Sequence, residues 1–212
     1  MGVRHNMEHI KRIFGESDIL LLVAGDGAGG VQSYHTAPGF VETSDNVEGN
    51  VIPPVTDSFS QNGVEVGVLP GGQSIVFSSP FVETFSMGMF VGKCTNDTGI
   101  IARVNNMYLY SSTGLNLMIR DAKAGISYFS GAGLAKYDEP DFWIMEADKT
   151  AQQMHMRGAG GKYTVNAYPE DMTLGEVRFG RITGYQIYDV QFYVLLNRLM
   201  TDDEIAQVRA LL

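Results

Sequence analysis

The sequence predicts an all-β protein: an antiparallel β-sandwich with a short C-terminal helix and an N-terminal arm. Short segments rich in apolar and aromatic residues recur roughly every 8 to 12 residues, separated by Asn, Gly and Asp, which is typical of a sandwich or barrel. Glycine contributes 25 of the 212 residues, which fits many tight turns better than helices. No alternation of strands with long helices follows, so the pattern disfavours a parallel sheet.

The C-terminal segment carries the clearest local signals. Val190, Phe192 and Val194 alternate with other residues at a period of two, which predicts a strand with one core-facing side. Thr201 and Glu204 are spaced as a capping box, in which hydroxyl and carboxylate satisfy the first N–H groups of a helix. We therefore expect a long strand, a short bend and a closing helix.

The remaining predicted strands belong to a single domain over residues 18–212. In residues 82–92, Phe85, Met87, Met89 and Val91 form one apolar face. Residues 31–72 are rich in Ser, Thr, Asn, Gly and Pro and predict a long connection with few strands. The other strands are predicted at residues 19–24, 64–69, 74–78, 100–104, 107–111, 115–120, 125–129, 142–147, 152–157, 163–168 and 176–182.

Residues 1–17 form the predicted N-terminal arm. Met7, Ile10 and Phe14 have helical spacing, which predicts one amphipathic helix of about three turns. Such a helix is only marginally stable alone in water. Two interpretations remain open: a frayed terminus, or an arm that docks onto a partner protein through these three side chains.

Composition excludes several classes of function. The net charge is −9 and the 15 Lys and Arg residues are scattered, which argues against a nucleic-acid partner. Cys94 is the only cysteine, so no internal disulfide and no cysteine-based zinc site can form. The longest apolar run, residues 19–24, is too short to cross a bilayer. Because Glu16 and Asp18 precede it, we expect no secretion signal and synthesis in a cytoplasm.

A glycine-rich segment follows the first predicted strand. Residues 25–30 read GDGAGG, the outline of a dinucleotide-binding fingerprint. That fingerprint needs a helix directly afterwards, whereas the sequence continues without helical period to a Pro38-Gly39 break. We interpret the glycines as a turn.

The C-terminal segment resembles a known family. Residues 188–193 (YDVQFY) and 197–205 (NRLMTDDEI) resemble the closing segment of concanavalin A-like, laminin G-like jelly-roll domains, the fold of many lectins and β-glucanases. Residues 74–77, 85–91, 142–145 and 154–157 follow the order of that family's central strands. The resemblance implies a jelly-roll sandwich.

The resemblance also suggests where chemistry could occur. Lectin-like domains hold calcium and sugar hydroxyls with Asp and Asn oxygens at one rim. Asp97, Asn105 and Asn106 flank one predicted strand pair, so we expect them at such a rim, with Tyr108 stacking on a sugar. Calcium stays open as an alternative; no other cofactor is expected. Trp143 is interpreted as a core residue.

Catalysis is not expected. Glu146 and Asp148 form an E-x-D pair, as in the family's glucanases, which carry a second glutamate three residues after the Asp. Here that position is Ala151, so we interpret the pair as part of a solvated turn. No nucleophile elbow is present.

Two classes of function remain. By analogy with the resembling fold, the first is a noncatalytic bacteriophage virion accessory protein, made in the host cytoplasm. It would dock onto other virion subunits as part of an oligomer or larger assembly, with host-surface glycans as a further partner. The alternative is a stand-alone carbohydrate-binding, lectin-like module. A glycoside hydrolase of the same fold is the third interpretation.

Overall fold

A computed structural model of the chain describes residues 4–25, 31–35, 41–44, 57–61, 64–68, 74–78, 83–94, 99–112, 116–121, 123–130, 133–135, 141–169, 176–184 and 188–211. The helices are α1 (Arg4–Phe14) and α2 (Asp202–Arg209), and a 3-10 turn spans Glu16–Asp18. The strands are β1 (Ile19–Gly25), β2 (Val31–His35), β3 (Val41–Ser44), β4 (Asp57–Gln61), β5 (Val64–Val68), β6 (Ser74–Ser78), β7 (Phe85–Cys94), β8 (Gly99–Val104), β9 (Met107–Ser112), β10 (Asn116–Asp121), β11 (Ile126–Phe129), β12 (Asp141–Asp148), β13 (Gln153–Gly158), β14 (Gly161–Val165), β15 (Glu176–Gly184) and β16 (Tyr188–Leu196).

The strands form two seven-stranded sheets and a separate ribbon of β4 and β5. Sheet A has the order β14-β13-β12-β7-β16-β1-β2, and sheet B has the order β11-β10-β9-β8-β15-β6-β3. The described strand pairs are antiparallel, and the short C-terminal helix follows β16. The predicted fold class is therefore confirmed: an antiparallel β-sandwich with a closing helix.

Among the described residues, the element that follows β1 is a strand and not the helix that the glycine fingerprint needs. β1 is followed by β2, which pairs antiparallel to it with Gly25 opposite Val31. A strand thus stands where the fingerprint needs a helix, although residues 26–30 themselves lie outside the described ranges. No helix within those ranges is long and apolar enough to span a membrane.

The main core lies between the two sheets. The predicted face of β7, formed by Phe85, Met87, Met89 and Val91, is buried there, which confirms that prediction. Sheet B contributes its inward-facing residues from three neighbouring strands: Ala102, Val104, Met107, Leu109, Leu117 and Ile119. Because each strand alternates its side chains, the intervening positions of sheet B point away from this core.

A second core covers the outer face of sheet A. Helices α1 and α2 both pack there, on Leu22, Phe90, Phe142, Phe192 and Val194. The prediction that β16 has a single core-facing side is therefore wrong. Tyr193 and Leu195 face the main core while their neighbours face the helices, so both sides of the strand are buried.

The N-terminal helix is engaged within the chain. α1 has the predicted length of about three turns, and Ile10 and Phe14 are only 2% and 1% exposed in the second core. This placement corrects the expectation that both side chains dock onto a partner, because they already contact the chain's own sheet. Met7 lies on α1, but its side chain is outside the described residues.

Arg198 joins the two helices to the end of β16. Its guanidinium donates to Asp18 Oδ2 at 2.6 Å, to Glu204 Oε2 at 2.9 Å and to the carbonyl oxygen of Phe14 at 2.9 Å. The predicted capping box is confirmed, since Glu204 N donates to Thr201 Oγ1 and Thr201 N donates to Glu204 Oε2. Burial opposes ionisation of Glu204, but the hydrogen bonds from Arg198 and Thr201 lower the pKa of its carboxyl.

Candidate functional site

Asn105 and Asn106 form the turn between β8 and β9. Asn105 has a φ of 52°, a left-handed conformation that Asn tolerates better than most residues. Their exposed fractions are 0% and 6%. Because a sugar cannot reach buried side chains, the structure does not present these two residues as glycan contacts, contrary to the expectation.

Asp97, the third residue of the expected rim, lies outside the described residues. In the described part of the chain, no group of three or more His, Cys, Asp or Glu side chains could hold a metal ion.

Tyr108 lies on the outer face of sheet B. Its neighbours on β9, Met107 and Leu109, are fully buried in the main core, so Tyr108 points the other way and is half-buried. Arg120 of β10 stands opposite Tyr108 on one side, and Arg103 of β8 stands opposite it on the other. The tyrosine thus occupies a position between two arginines.

This arrangement continues along the sheet. Arg178 of β15 is the register partner of Arg103, and Ser127 of β11 is the register partner of Arg120. Positions directly opposite each other in neighbouring strands belong to the same face of a sheet. We call Ser127, Arg120, Tyr108, Arg103 and Arg178 the arginine row; at ~4.8 Å per strand it is about 19 Å long.

An apolar strip lies beside the arginine row. Two positions before Arg120, Met118 has Phe129 and Tyr110 as its register partners. Side chains two residues apart on a strand share a face, at about 7 Å. The outer face of sheet B therefore places three guanidinium-bearing positions next to aromatic ones, in a chain whose net charge is −9.

Sequence reasoning found Tyr108 but missed the arginines. Each arginine of the row directly follows an apolar residue on its strand (Ala102, Ile119 or Val177), which signals an outward position. The signal does not reveal that these strands are adjacent. β8 and β15 are far apart in the chain, and only their antiparallel pairing brings Arg103 opposite Arg178.

Glu146 has a structural role rather than that of a solvated turn residue. It is fully buried on β12, where Oε1 accepts from Ser86 Oγ at 2.8 Å and from the Met200 amide at 3.2 Å. Its Oε2 accepts from Arg157 Nε at 2.8 Å. Only Asp148 is in the turn, where it accepts from the Ala151 amide at 2.9 Å. The interpretation of Glu146 as solvated is therefore wrong.

Trp143 is a core residue, as predicted. Its side chain is fully buried between the sheets, and its Nε1 donates to Asp141 Oδ2 at 2.9 Å. A buried indole whose N–H is satisfied within the protein offers no surface for stacking on a sugar. Tyr108 is thus the predicted aromatic contact that remains at the surface.

His155 is the register partner of Glu146, and its burial makes the stability of the folded protein depend on pH. It is 4% exposed, and its Nδ1 is 3.1 Å from Thr164 Oγ1. Burial lowers the pKa of His155, as do Lys162 and Arg157, while Glu146 and Asp148 oppose this shift. A lowered pKa in the folded state means that protonation favours unfolding. The stability that neutral His155 contributes is fully present above its ordinary pKa of about 6.5, and it is lost as the pH falls through the folded-state pKa.

We expect the urea midpoint of the wild-type protein to fall between pH 7.5 and pH 5.5, and to fall less in His155→Asn. The matched control is His9→Asn, because His9 is exposed on α1. Equal pH dependence of the wild-type protein and His155→Asn would contradict the assignment.

The comparisons with known proteins identify the fold. No known family and no curated protein matches the sequence. Among solved structures, the binding domain of botulinum neurotoxin DC in complex with SialylT matches with a TM-score of 0.58 at 11% identity, over 94% of this chain and 52% of that one. A botulinum neurotoxin type C structure, titled for cell entry dependent on two ganglioside molecules, matches with a TM-score of 0.57 at 11% identity, over 97% and 53%.

A third similar structure is the carbohydrate-binding module CBM40 of the Ruminococcus gnavus IT-sialidase, bound to α2,3-sialyllactose. It has a TM-score of 0.48 at 15% identity, over 60% of this chain and 82% of that one. The present chain spans about half the length of the two neurotoxin chains. At 11% identity their likeness shows the fold alone: the chain is a β-sandwich.

Proposed function

We propose that the chain is a noncatalytic glycan-binding module, and that its arginine row binds acidic glycans. The observation that carries the proposal is the alignment of Arg120, Tyr108, Arg103 and Arg178 across one face of sheet B. In an acidic protein, three arginine positions gathered on one face create a local preference for anions.

The chemistry of the row fits a sugar that carries a carboxylate. A guanidinium presents its N–H groups in a planar fork, which matches the two oxygens of a carboxylate. The Tyr108 ring offers an apolar surface for a sugar ring and a hydroxyl for hydrogen bonding. A neutral sugar has no carboxylate and would contact only Tyr108. We therefore expect acidic glycans to bind more tightly than neutral ones, and added salt to weaken the binding of acidic glycans.

The fold supports this proposal as an analogy. The titles of the neurotoxin structures name SialylT and gangliosides as what those proteins bind or depend on. Fold likeness does not transfer a ligand, so the arginine row carries the argument. Binding without catalysis is supported by Glu146, whose two carboxylate oxygens are both engaged by neighbouring groups.

The virion accessory role stays a prediction, as do its partners and location. Its docking argument relied on the N-terminal arm, and two of the three predicted docking side chains, Ile10 and Phe14, lie in the chain's own core. The glycan-binding alternative is supported by Tyr108, which was predicted from the sequence, and by Arg120 and Arg103, which stand opposite it in the strand register.

We expect 3′-sialyllactose to bind the wild-type protein at least tenfold more tightly than lactose, as measured by isothermal titration calorimetry. Replacing Arg120, which is exposed, by glutamine should weaken sialyllactose binding about tenfold, the loss expected for one charge-assisted contact of ~1.4 kcal/mol. Lactose binding should be unchanged, because lactose has no carboxylate for Arg120 to hold.

The matched control is Arg12→Gln, which removes one exposed arginine from α1, far from sheet B. It should bind sialyllactose as the wild-type protein does. Equal affinity for the two sugars, or an unchanged affinity in Arg120→Gln, would refute the role of the arginine row. No binding of any glycan on an array would refute the glycan-binding function itself.

A further inference from the structure

Strand β14 (Gly161–Val165) is an edge of sheet A. It pairs with β13 on one side, and on its other side sheet A has no further strand among the described residues. Lys162, Tyr163 and Thr164 are all exposed. In the described part of the chain, Tyr163 and Ile126 are the exposed large apolar side chains, and Tyr163 is 39% exposed. The outer side of β14 therefore combines accessible backbone with an accessible aromatic ring.

The geometry of the β13–β14 hairpin shows which backbone groups point outward. A two-residue turn joins Gly158 to Gly161, and these two glycines are register partners. Such a closing pair exchanges both of its backbone hydrogen bonds, and hydrogen-bonded pairs then alternate with non-hydrogen-bonded ones along the hairpin. The N–H and C=O groups of Tyr163 are thus directed to β13, whereas those of Lys162 and Thr164 are directed away from it.

β14 has few of the features that prevent an edge strand from pairing. Natural edges are protected by proline, by bulges and by charged side chains. β14 contains no proline, and its register with β13 runs without a shift from Gly158–Gly161 to Met154–Val165. Its one charged residue is Lys162. The edge is therefore a regular strand to which another strand can be added.

The strand is complementary to a second copy of itself. Tyr163 is the middle residue of β14, so two antiparallel copies that are centred on it overlap along the whole strand. In this register, Lys162 of each copy stands opposite Thr164 of the other copy. Both positions direct their backbone groups outward, so these pairs exchange hydrogen bonds. The two Tyr163 residues form the non-hydrogen-bonded pair between them, in which the side chains are closest.

Charge and strand length favour this register over its alternatives. A register centred on Lys162 would place two ammonium groups directly opposite each other, which is unfavourable. A register centred on Thr164 would pair Lys162 with Asn166, which lies beyond the end of β14. With Tyr163 at the centre, Lys162 stands opposite a neutral hydroxyl that can accept a hydrogen bond from the ammonium.

We propose that β14 is a dimerisation edge whose partner is a second copy of this chain. The two copies pair antiparallel about a two-fold axis at Tyr163, so that their seven-stranded sheets A join into one continuous sheet. The contact is closed, because each copy uses the same strand. Sheet B of each copy then lies on the same side of the joined sheet. If the proposed glycan function holds, the two arginine rows face the same way and the dimer is bivalent.

Sedimentation equilibrium of the full chain, without any sugar, tests the pairing. The contact of two short edge strands is smaller than a standard interface of ~1,600 Å², so we expect a weak dimer with a dissociation constant on the order of 100 µM. The wild-type protein should pass from monomer to dimer between about 10 µM and about 1 mM. Because the sample contains no glycan, a negative result would refute the pairing and not the glycan function.

Two variants of the edge should weaken the dimer at least tenfold. Thr164→Pro removes an N–H group that points away from β13, so the hairpin keeps its backbone hydrogen bonds while the dimer loses some. The matched control is Thr164→Val, which loses the same hydroxyl contact with His155 but keeps the N–H group, and it should dimerise as the wild-type protein does. Tyr163→Lys keeps every backbone group and places two ammonium groups opposite each other.

Cysteine cross-linking tests the register. The background is Cys94→Ser, in which an introduced cysteine is the only one. On mild oxidation, Tyr163→Cys should form a disulfide-linked dimer at least tenfold faster than Ala151→Cys, because the two-fold axis brings the two copies of position 163 within disulfide distance. Ala151 is the matched control, since it is exposed in the turn between β12 and β13.

Three results would overturn the proposal. A wild-type protein that remains monomeric at about 1 mM would show that β14 does not pair with a second copy. A folded Thr164→Pro variant that dimerises as tightly as the wild-type protein would place the contact elsewhere on the molecule. Equal rates of cross-linking in Tyr163→Cys and Ala151→Cys would exclude a two-fold axis at Tyr163.

Discussion

Replacing Glu146 by alanine is expected to lower the free energy of unfolding by about 3–5 kcal/mol. The change leaves the Arg157 guanidinium, which is 12% exposed, without its buried partner. It also removes the acceptor shared by the Ser86 hydroxyl and the Met200 amide, which joins β7, β12 and the start of the bend before α2. Urea unfolding followed by circular dichroism measures the loss.

Two variants show which property of Glu146 matters. Glu146→Gln tests its charge, and Asp148→Ala is the control for losing a carboxylate near the end of β12. Glu146→Gln keeps acceptor capacity for part of the network and should lose less stability than Glu146→Ala. Asp148→Ala removes a neighbouring carboxylate that contacts only its own turn among the described residues, and should cost less than about 1 kcal/mol. If the free energy of unfolding of Glu146→Ala falls by less than about 1 kcal/mol, the contacts of Glu146 with Ser86, Met200 and Arg157 do not hold α2 on the sheet.

Replacing Phe14 by alanine is expected to lower the free energy of unfolding by about 3–5 kcal/mol, because it leaves a cavity in the second core. Phe14 is 1% exposed and packs where α1 crosses sheet A, close to the Arg198 contacts. The same unfolding experiment measures the loss. The matched control is Ile13→Ala, since Ile13 is only partly buried against that core.

The Phe14 variant also decides between the two interpretations of the N-terminal segment. If α1 is part of the sandwich, the loss is large and the urea dependence stays two-state. If Phe14→Ala changes stability by less than about 1 kcal/mol, α1 is not packed on sheet A in solution. In that case the segment is an arm, and its apolar face is available to a partner.

Local signals predicted the elements well where one rule was sufficient. The alternation of Phe85, Met87, Met89 and Val91 predicted the inner face of β7, and the Thr201–Glu204 spacing predicted the start of α2. Both depend on residues close together in the chain, so no knowledge of the tertiary structure is needed.

Predictions failed where burial depends on distant segments. β16 was expected to have one core-facing side, but two helices cover the outer face of sheet A and bury the other side as well. Glu146 was placed in a solvated turn together with Asp148, which does lie at a turn. The residues that satisfy Glu146, Arg157 and Ser86, come from other strands. A charged residue whose partners are remote in sequence cannot be recognised as buried from the sequence alone.

The sequence predicted only part of the candidate site, because the arginines of the row come together from strands that are distant in the chain. Tyr108 was identified as a contact because an aromatic residue near turn residues suits a sugar. Arg103, Arg120 and Arg178 were not, because their proximity depends on the order β10-β9-β8-β15 in sheet B. Asn105 and Asn106, expected at a rim with Asp97, are buried in their turn, and the sequence did not reveal this burial. Asp97 lies outside the described residues.

A crystal structure of the protein soaked with 3′-sialyllactose tests the central claim most directly. We predict the sugar carboxylate within about 3 Å of a guanidinium of the arginine row, with a sugar ring against Tyr108. Sialyllactose bound elsewhere on the molecule, or no bound sugar at a concentration that saturates sialyllactose binding in solution, would contradict the assignment of this face of sheet B as the glycan-binding surface.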